Sequence, residues 1–185
     1  LEEFFVAEEF YTLQVAGLTR RLPICPVNEK LSIAAFVMFS DVELTVACAS
    51  ELVKKAPKCD VIITAESKGI PLAYEMARQL GITYVVARKM PKLYMRDPVG
   101  FEVQSITTAA KQMLYLDRNE VSMLEGKRVL IADDVISTGE SLAAVEKLVA
   151  FANGNVVGKC AVLAEGDAAD RTDIFFLEKL PLFFK

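Results

Sequence analysis

Asp133 and Asp134 stand side by side after a four-residue apolar run, Val129-Leu130-Ile131-Ala132, and shortly before the polar stretch Ser137-Thr138-Gly139-Glu140-Ser141. The run reads as a buried parallel strand closed by the two acids, and the polar stretch as a turn leading into an amphipathic helix. Such a turn offers hydroxyls and free backbone N–H groups at the positive end of a helix dipole, which suits a phosphate monoester. Adjacent carboxylates do the complementary work: they accept hydrogen bonds from sugar hydroxyls or hold a cation. The metal-binding strand of a nucleoside triphosphatase also ends in acids, but it needs an upstream Gly-x-x-x-x-Gly-Lys-Ser/Thr loop. Gly126-Lys127 has no glycine five residues earlier and is followed by Arg128, so that loop is missing. Helix capping alone would use one side chain, whereas this turn supplies several.

The elements that must position these groups can be read on either side. Residues 59–65 form a short apolar strand interrupted by Asp60, and Glu66-Ser67-Lys68-Gly69 is a second polar turn. It opens a helix with Leu72, Met76 and Leu80 at four-residue spacing, stopped by Gly81. Backbone N–H groups freed by Gly69, together with the Lys68 ammonium, are donors aimed at an anion. Residues 82–87 are the next strand, with Arg88 and Lys89 at its end. From Met90 to about Val121 the chain fits neither a helix period nor a single strand: Pro91, Pro98 and Gly100 precede two β-like runs, 101–108 and 112–116. A segment of this length reads as a β-ribbon or lid, with Lys92, Arg96 and Lys111 as its cations.

Earlier, residues 1–40 alternate apolar and polar positions around Gly17 and a Pro-rich centre, and read as short strands and turns. Ser40-x-x-Glu43 has the form of a capping box, opening a helix that places Leu44, Cys48 and Leu52 on one face. Beyond the acids, Leu142, Val145, Leu148, Val149 and Ala152 share a helix face that ends at Asn153-Gly154. Residues 156–164 are another buried strand, finishing at Glu165-Gly166-Asp167, on the edge where the other polar turns lie. The tail, with apolar segments 173–177 and 180–184, is expected to return to the N-terminal strands.

Composition bounds the rest. A chain of 185 residues, 53% apolar and 25% charged, suits one α/β domain. A net charge of −4 argues against nonspecific nucleic-acid binding. The four cysteines are scattered, as expected of reduced thiols in a cytoplasmic protein, and with no histidine every mechanism needing an imidazole is excluded. The acidic first residues do not look like a signal peptide, and no apolar run reaches the roughly 18 residues needed to cross a bilayer, so a soluble protein without a membrane partner is expected.

The segment around Asp133 resembles the phosphoribosyl-diphosphate (PRPP) motif of type I phosphoribosyltransferases: an apolar run, two acids, two variable residues, then Thr-Gly-x-Ser/Thr. From about Asp60 to Glu165 the order of elements looks like the core of an adenine phosphoribosyltransferase-type protein. The resemblance implies a doubly wound, mainly parallel α/β sheet within a single domain. Its core would span about 41–165, under a small hood made from both termini, 1–40 plus 166–185. It implies transfer of the phosphoribosyl group of PRPP to a purine base, adenine foremost, with Mg²⁺ as cofactor and a homodimer as assembly. Asp133 and Asp134 would hold the ribose hydroxyls, which bridge to a metal bound through PRPP with no direct protein ligand. Ser137, Thr138, Gly139, Glu140 and Ser141 would take the 5′-phosphate. Glu66, Ser67, Lys68, Gly69, Arg88 and Lys92 would surround the pyrophosphate, with Lys68 and Arg88 assisting its departure, and Glu165 and Gly166 would lie near the base. One departure stands out: adenine-type members carry a lid glutamate where this chain has Ala110. A PRPP-binding sensor without catalysis is the alternative, although such regulators carry a DNA-binding helical domain that the strand-like first 40 residues do not suggest.

Overall fold

A computed structural model describes residues 9–103 and 112–185. Lys111 and Ala110 lie outside the described residues. The chain begins with strands β1 (Phe10–Val15), β2 (Leu18–Pro26) and β3 (Leu31–Ala34). The first two are joined by Ala16-Gly17, both at positive φ, which is the backbone a two-residue hairpin turn needs. Helix α1 (Val42–Lys55), β4 (Val61–Ala65), α2 (Ile70–Leu80) and β5 (Thr83–Ala87) follow, then the antiparallel hairpin β6 (Val99–Val103) and β7 (Gln112–Leu116). Helix α3 (Arg118–Leu124), β8 (Arg128–Ile136), α4 (Glu140–Phe151), β9 (Asn155–Glu165), a 3₁₀ turn (Gly166–Asp170), β10 (Phe175–Leu180) and β11 (Leu182–Phe184) complete it.

Five strands form one parallel sheet in the order β10-β9-β8-β4-β5. Its centre is covered on both faces, which is why residues 61–65 and 129–132 read as unbroken apolar runs rather than alternating ones. On one face lie α4, α3 and β7, contributing Leu148, Val149, Leu124 and Leu116. On the other lie α1 and α2, whose Leu52, Leu72 and Met76 share a core with Leu13, Val15 and Leu22 of the N-terminal strands. Those strands form the second sheet, in the order β1-β2-β3-β11.

Three expectations change. The capping residue of α1 is Asp41 rather than Ser40: its Oδ1 accepts the Leu44 N–H at 3.0 Å, while Arg20 on β2 donates to the same carboxylate at 2.6 Å. Aspartate wins because it caps the helix and ties it to the N-terminal sheet at once. The stretch read as a lid up to Val121 includes a helix, α3, opened by a reciprocal cap in which Asp117 accepts from Glu120 N and Glu120 from Asp117 N, each at 2.8 Å. Finally, the tail divides. β10 pairs parallel with β9 in the main sheet, and β11 alone joins β3.

The cap is testable. Asp41→Ala should lower stability in urea by about 1–2 kcal/mol, the usual cost of losing a cap. Ser40→Ala should stay within about 0.5 kcal/mol. Equal losses would return the cap to Ser40.

Candidate active site

The chemistry-bearing turns meet at the point where the sheet reverses its winding. From β4 the chain moves outward to β5, then returns on the other side of β4 to form β8. β4 and β8 pair at Val61–Val129, Ile62–Leu130 and Ile63–Ile131 and then part, leaving a crevice at their carboxyl ends. Open α/β sheets bind ligands in this crevice. The turn Glu66-Ser67-Lys68-Gly69 enters it from β4, and Asp133 and Asp134 enter from β8.

The acids do not close their strand as expected; they lie within it. β8 runs on to Ile136 because β9 still supplies its partners, Asp133 opposite Ala161 and Ile136 opposite Ala164. The edge freed by β4 is where the second turn docks. Ser67 Oγ donates to Asp133 Oδ1 at 3.0 Å, and that oxygen also accepts Asp134 N at 2.9 Å. Gly69 packs so closely that a Cβ there would sit 2.7 Å from Asp133 Oδ1 and 3.1 Å from Asp133 Cα. Burial, followed by the charge of neighbouring Asp134, pushes the Asp133 carboxyl up to about 7.

Asp134 is 4% exposed. Its Oδ2 is 3.2 Å from Lys68 Nζ but is buried without a hydrogen-bond donor, so the ammonium neutralises it without satisfying it. Lys68 aims its hydrogen bond elsewhere, at Phe36 O 2.7 Å away in the segment joining β3 to α1. One cation thereby links the acid pair to the N-terminal layer. Val37 and Phe39 beside that anchor are about half exposed, at 48% and 53%.

The remaining residues of the predicted pyrophosphate site cluster around Glu66. Its carboxylate accepts Lys89 N at 2.8 Å, with Lys92 Nζ at 3.2 Å and Arg88 Nη1 at 3.8 Å. The Lys89 N–H, then the Lys92 charge, hold it below the usual carboxylate range. Glu66 is thus a collector of cations in this arrangement. Arg88 exchanges both backbone hydrogen bonds with Tyr115 of β7, at 2.8 and 2.7 Å, and its Nε is buried without an acceptor.

On the far side of the acids, a cavity of about 130 Å³ is lined by Asp133 and the turn from residue 135 to 142. Gly139, at φ +79°, reverses the backbone so that α4 can start at Glu140, and the first N–H groups of a helix lack intrahelical partners. Glu165 lies one strand further along the same sheet edge. It is 8% exposed, and its carboxylate has no hydrogen-bond or ion-pair partner among the described residues; Gly166 follows at φ +58°. Among the described residues no three acids, cysteines or histidines are grouped to hold a metal ion, so a site built from them offers two such ligands at most. Mg²⁺ is commonly bound through one or two carboxylates plus substrate phosphates, and the unsatisfied Asp134 Oδ2 fits that donor set.

Sequence reasoning missed two groups. Phe36 acts through its carbonyl, which has no signature in an apolar run. Arg171, whose Nη1 would meet a Gly139 Cβ at 2.5 Å, lies 32 positions from that glycine without any motif.

The family model described as a phosphoribosyl transferase domain matches residues 46–179. The chain belongs to the phosphoribosyltransferases. Among relatives, a hypoxanthine/guanine phosphoribosyltransferase of Methanococcus voltae is 38% identical over 60% of this chain and 56% of its own. An adenine phosphoribosyltransferase of Rhodococcus jostii is 34% identical over 68% and 69%. The purine biosynthesis transcriptional repressor PurR of Bacillus subtilis is 34% identical over 60% of this chain and 38% of its own. The chain therefore spans from about two fifths to two thirds of these relatives. Among solved structures, adenine phosphoribosyltransferase from Thermoanaerobacter pseudethanolicus superposes with a TM-score of 0.66 at 27% identity, covering 77% of this chain and 84% of that one. Among the described residues, no helix is long and apolar enough to cross a membrane.

The raised Asp133 carboxyl sets a pH dependence. The folded protein holds a proton there that the unfolded chain releases near pH 4, so between about pH 4 and 7 folding takes up a proton and this group's contribution to stability falls as pH rises. Asp133→Asn should therefore gain stability relative to the parent across that window, measured by urea unfolding at a series of pH values. A difference independent of pH would mean that the carboxyl is not displaced.

Proposed function

We propose that the chain transfers the 5-phosphoribosyl group of PRPP to a ring nitrogen of a purine base, adenine foremost, yielding a nucleoside monophosphate and pyrophosphate. The observation that carries this reading is the junction of three features in one crevice: the paired acids, the small-residue turn at the start of α4, and the Lys68 turn hydrogen-bonded to the acids. The turn 137–141 suits the 5′-phosphate, and the unsatisfied Asp134 Oδ2 suits a ribose hydroxyl. Lys68, Arg88 and Lys92 suit the pyrophosphate, with Glu66 holding the last two in place. Mg²⁺, bound through PRPP beside the acids, would supply neutralising charge to the departing pyrophosphate.

In the reaction the bond from the anomeric carbon to the pyrophosphate oxygen breaks and a bond to the base nitrogen forms, through an oxocarbenium-like transition state by analogy with glycosyl transfer. No covalent nucleophile is required. Orientation and charge neutralisation supply the rate. The base nitrogen loses its proton, and Glu165, an unpaired buried carboxylate on the same sheet edge, is the acceptor this reading favours. Adenine is supported by the Rhodococcus and Thermoanaerobacter relatives, while the Methanococcus relative keeps other purines in view. The repressor relative favours one second reading, a PRPP sensor that binds without transfer.

Release of pyrophosphate from PRPP and Mg²⁺ with adenine, hypoxanthine, guanine or xanthine decides between them. Transfer to at least one base is expected, adenine being the best; tight PRPP binding by calorimetry with no release from any base leaves the sensor. Asp134→Asn should raise KM for PRPP and lower kcat/KM roughly tenfold to a hundredfold, the value of hydrogen bonds to a charged group. Glu165→Gln should lower kcat more than PRPP affinity. If Glu165→Gln turns over normally, proton removal falls to another group.

A further inference from the structure

Arg171 enters the site as described only through its closeness to Gly139, and no role has been given to its charge. It follows the 3₁₀ turn Gly166–Asp170, and its guanidinium covers the outer side of the 137–141 turn, on the space that Gly139 leaves by having no side chain. It does not line the cavity. The guanidinium is held from behind. Nε and Nη2 donate to Asp173 at 2.9 and 2.7 Å, and Lys159 on β9 donates both to Asp173, at 2.5 Å, and to Glu146 on α4, at 2.8 Å. Nη1, the nitrogen nearest Gly139, has no acceptor among the described residues.

A cation at the amino end of a helix faces the positive end of the dipole and is unfavourable there in an otherwise empty site. Asp173 compensates part of that charge. With Lys159 and Glu146 the four side chains sum to zero and Glu140 adds a negative charge to the turn, but Nη1 is the charged group that meets Gly139, so the backbone there faces a positive charge, an arrangement that becomes favourable when an anion occupies the turn. We propose that Arg171 is a positioning residue for a doubly charged phosphomonoester: from behind Gly139 it fixes the turn 137–141 and contributes charge through the backbone it covers. Asp173, Lys159 and Glu146 fix the guanidinium to β9 and α4, so the turn, helix and sheet move as one. This inference rests on the phosphate reading of the turn given above.

Calorimetry with ribose 5-phosphate on the wild-type chain, Arg171→Gln and Arg171→Lys tests it, alongside KM and kcat for PRPP. Loss of the cation should weaken ribose 5-phosphate roughly fivefold, the order expected for a charge near a helix end. The loss should shrink below about pH 6, where a phosphate monoester carries a single charge. Arg171→Lys should recover most of the affinity, and KM for PRPP should rise in Arg171→Gln while kcat holds. A lowered melting temperature with unchanged affinity in both variants would show a merely structural brace and overturn the proposal. Wild-type protein that bound no ribose 5-phosphate would bring down the phosphate reading itself, whereas equal affinities in wild type and Arg171→Gln would overturn this inference alone.

Discussion

The closeness of Gly69 to Asp133 governs the geometry of the crevice. The turn at Ser67 and the strand residue Asp133, 66 positions apart, are brought into contact because β4 and β8 are neighbours. They can touch only because position 69 has no side chain. With the turn seated, Ser67 locks one acid and Lys68 faces the other, and Asp134 is withdrawn from water with Asp133 partly so. Withdrawal is costly for two adjacent acids, and the protein meets it incompletely: one carboxyl retains its proton more tightly, and the other leaves an oxygen without a donor. Such a pair is poised for a ligand that brings hydroxyls or positive charge.

The same economy governs the cations. Glu66 carries a charge of the wrong sign for an anion site, but it orients Lys92 and Arg88 at one carboxylate, and Arg88 is itself paired through its backbone to the hairpin at Tyr115. The base of the ribbon and the polar turn are therefore parts of one hydrogen-bonded unit. The two are joined through the main chain as well, since Glu66 N donates to Ala87 O at 2.8 Å next to the Arg88–Tyr115 bridge.

The core was legible where burial on both faces left a continuous apolar run, and the site was legible where a polar turn followed such a run. Strands 61–65 and 129–132, the turns after them and the helices they open all lie where the residue pattern puts them. Other features depended on partners that no local pattern names. Asp133 and Asp134 stay within their strand because β9 continues beside them. Ser40 and Asp41 are both competent caps, and the choice between them came from Arg20, which is 21 positions from Asp41. The short run 175–180, Phe-Phe-Leu-Glu-Lys-Leu, carries no mark of whether it joins a parallel or an antiparallel sheet. Helix α3 was the exception: Asp117 and Glu120 did carry its signal, hidden by the prolines and glycine before them.

The tail bears on how the molecule is assembled. β10 ends at Leu180 in the main sheet and β11 begins at Leu182 in the N-terminal one, so Pro181 alone separates the last strand of one layer from the last strand of the other. During synthesis β1, β2 and β3 emerge before the parallel sheet, yet β3 waits for its outer partner β11 until that whole sheet has been made. The earlier of the two layers is therefore sealed after the later one. Once sealed, a single rigid residue ties the two layers together, so the N-terminal layer keeps its register from the parallel sheet.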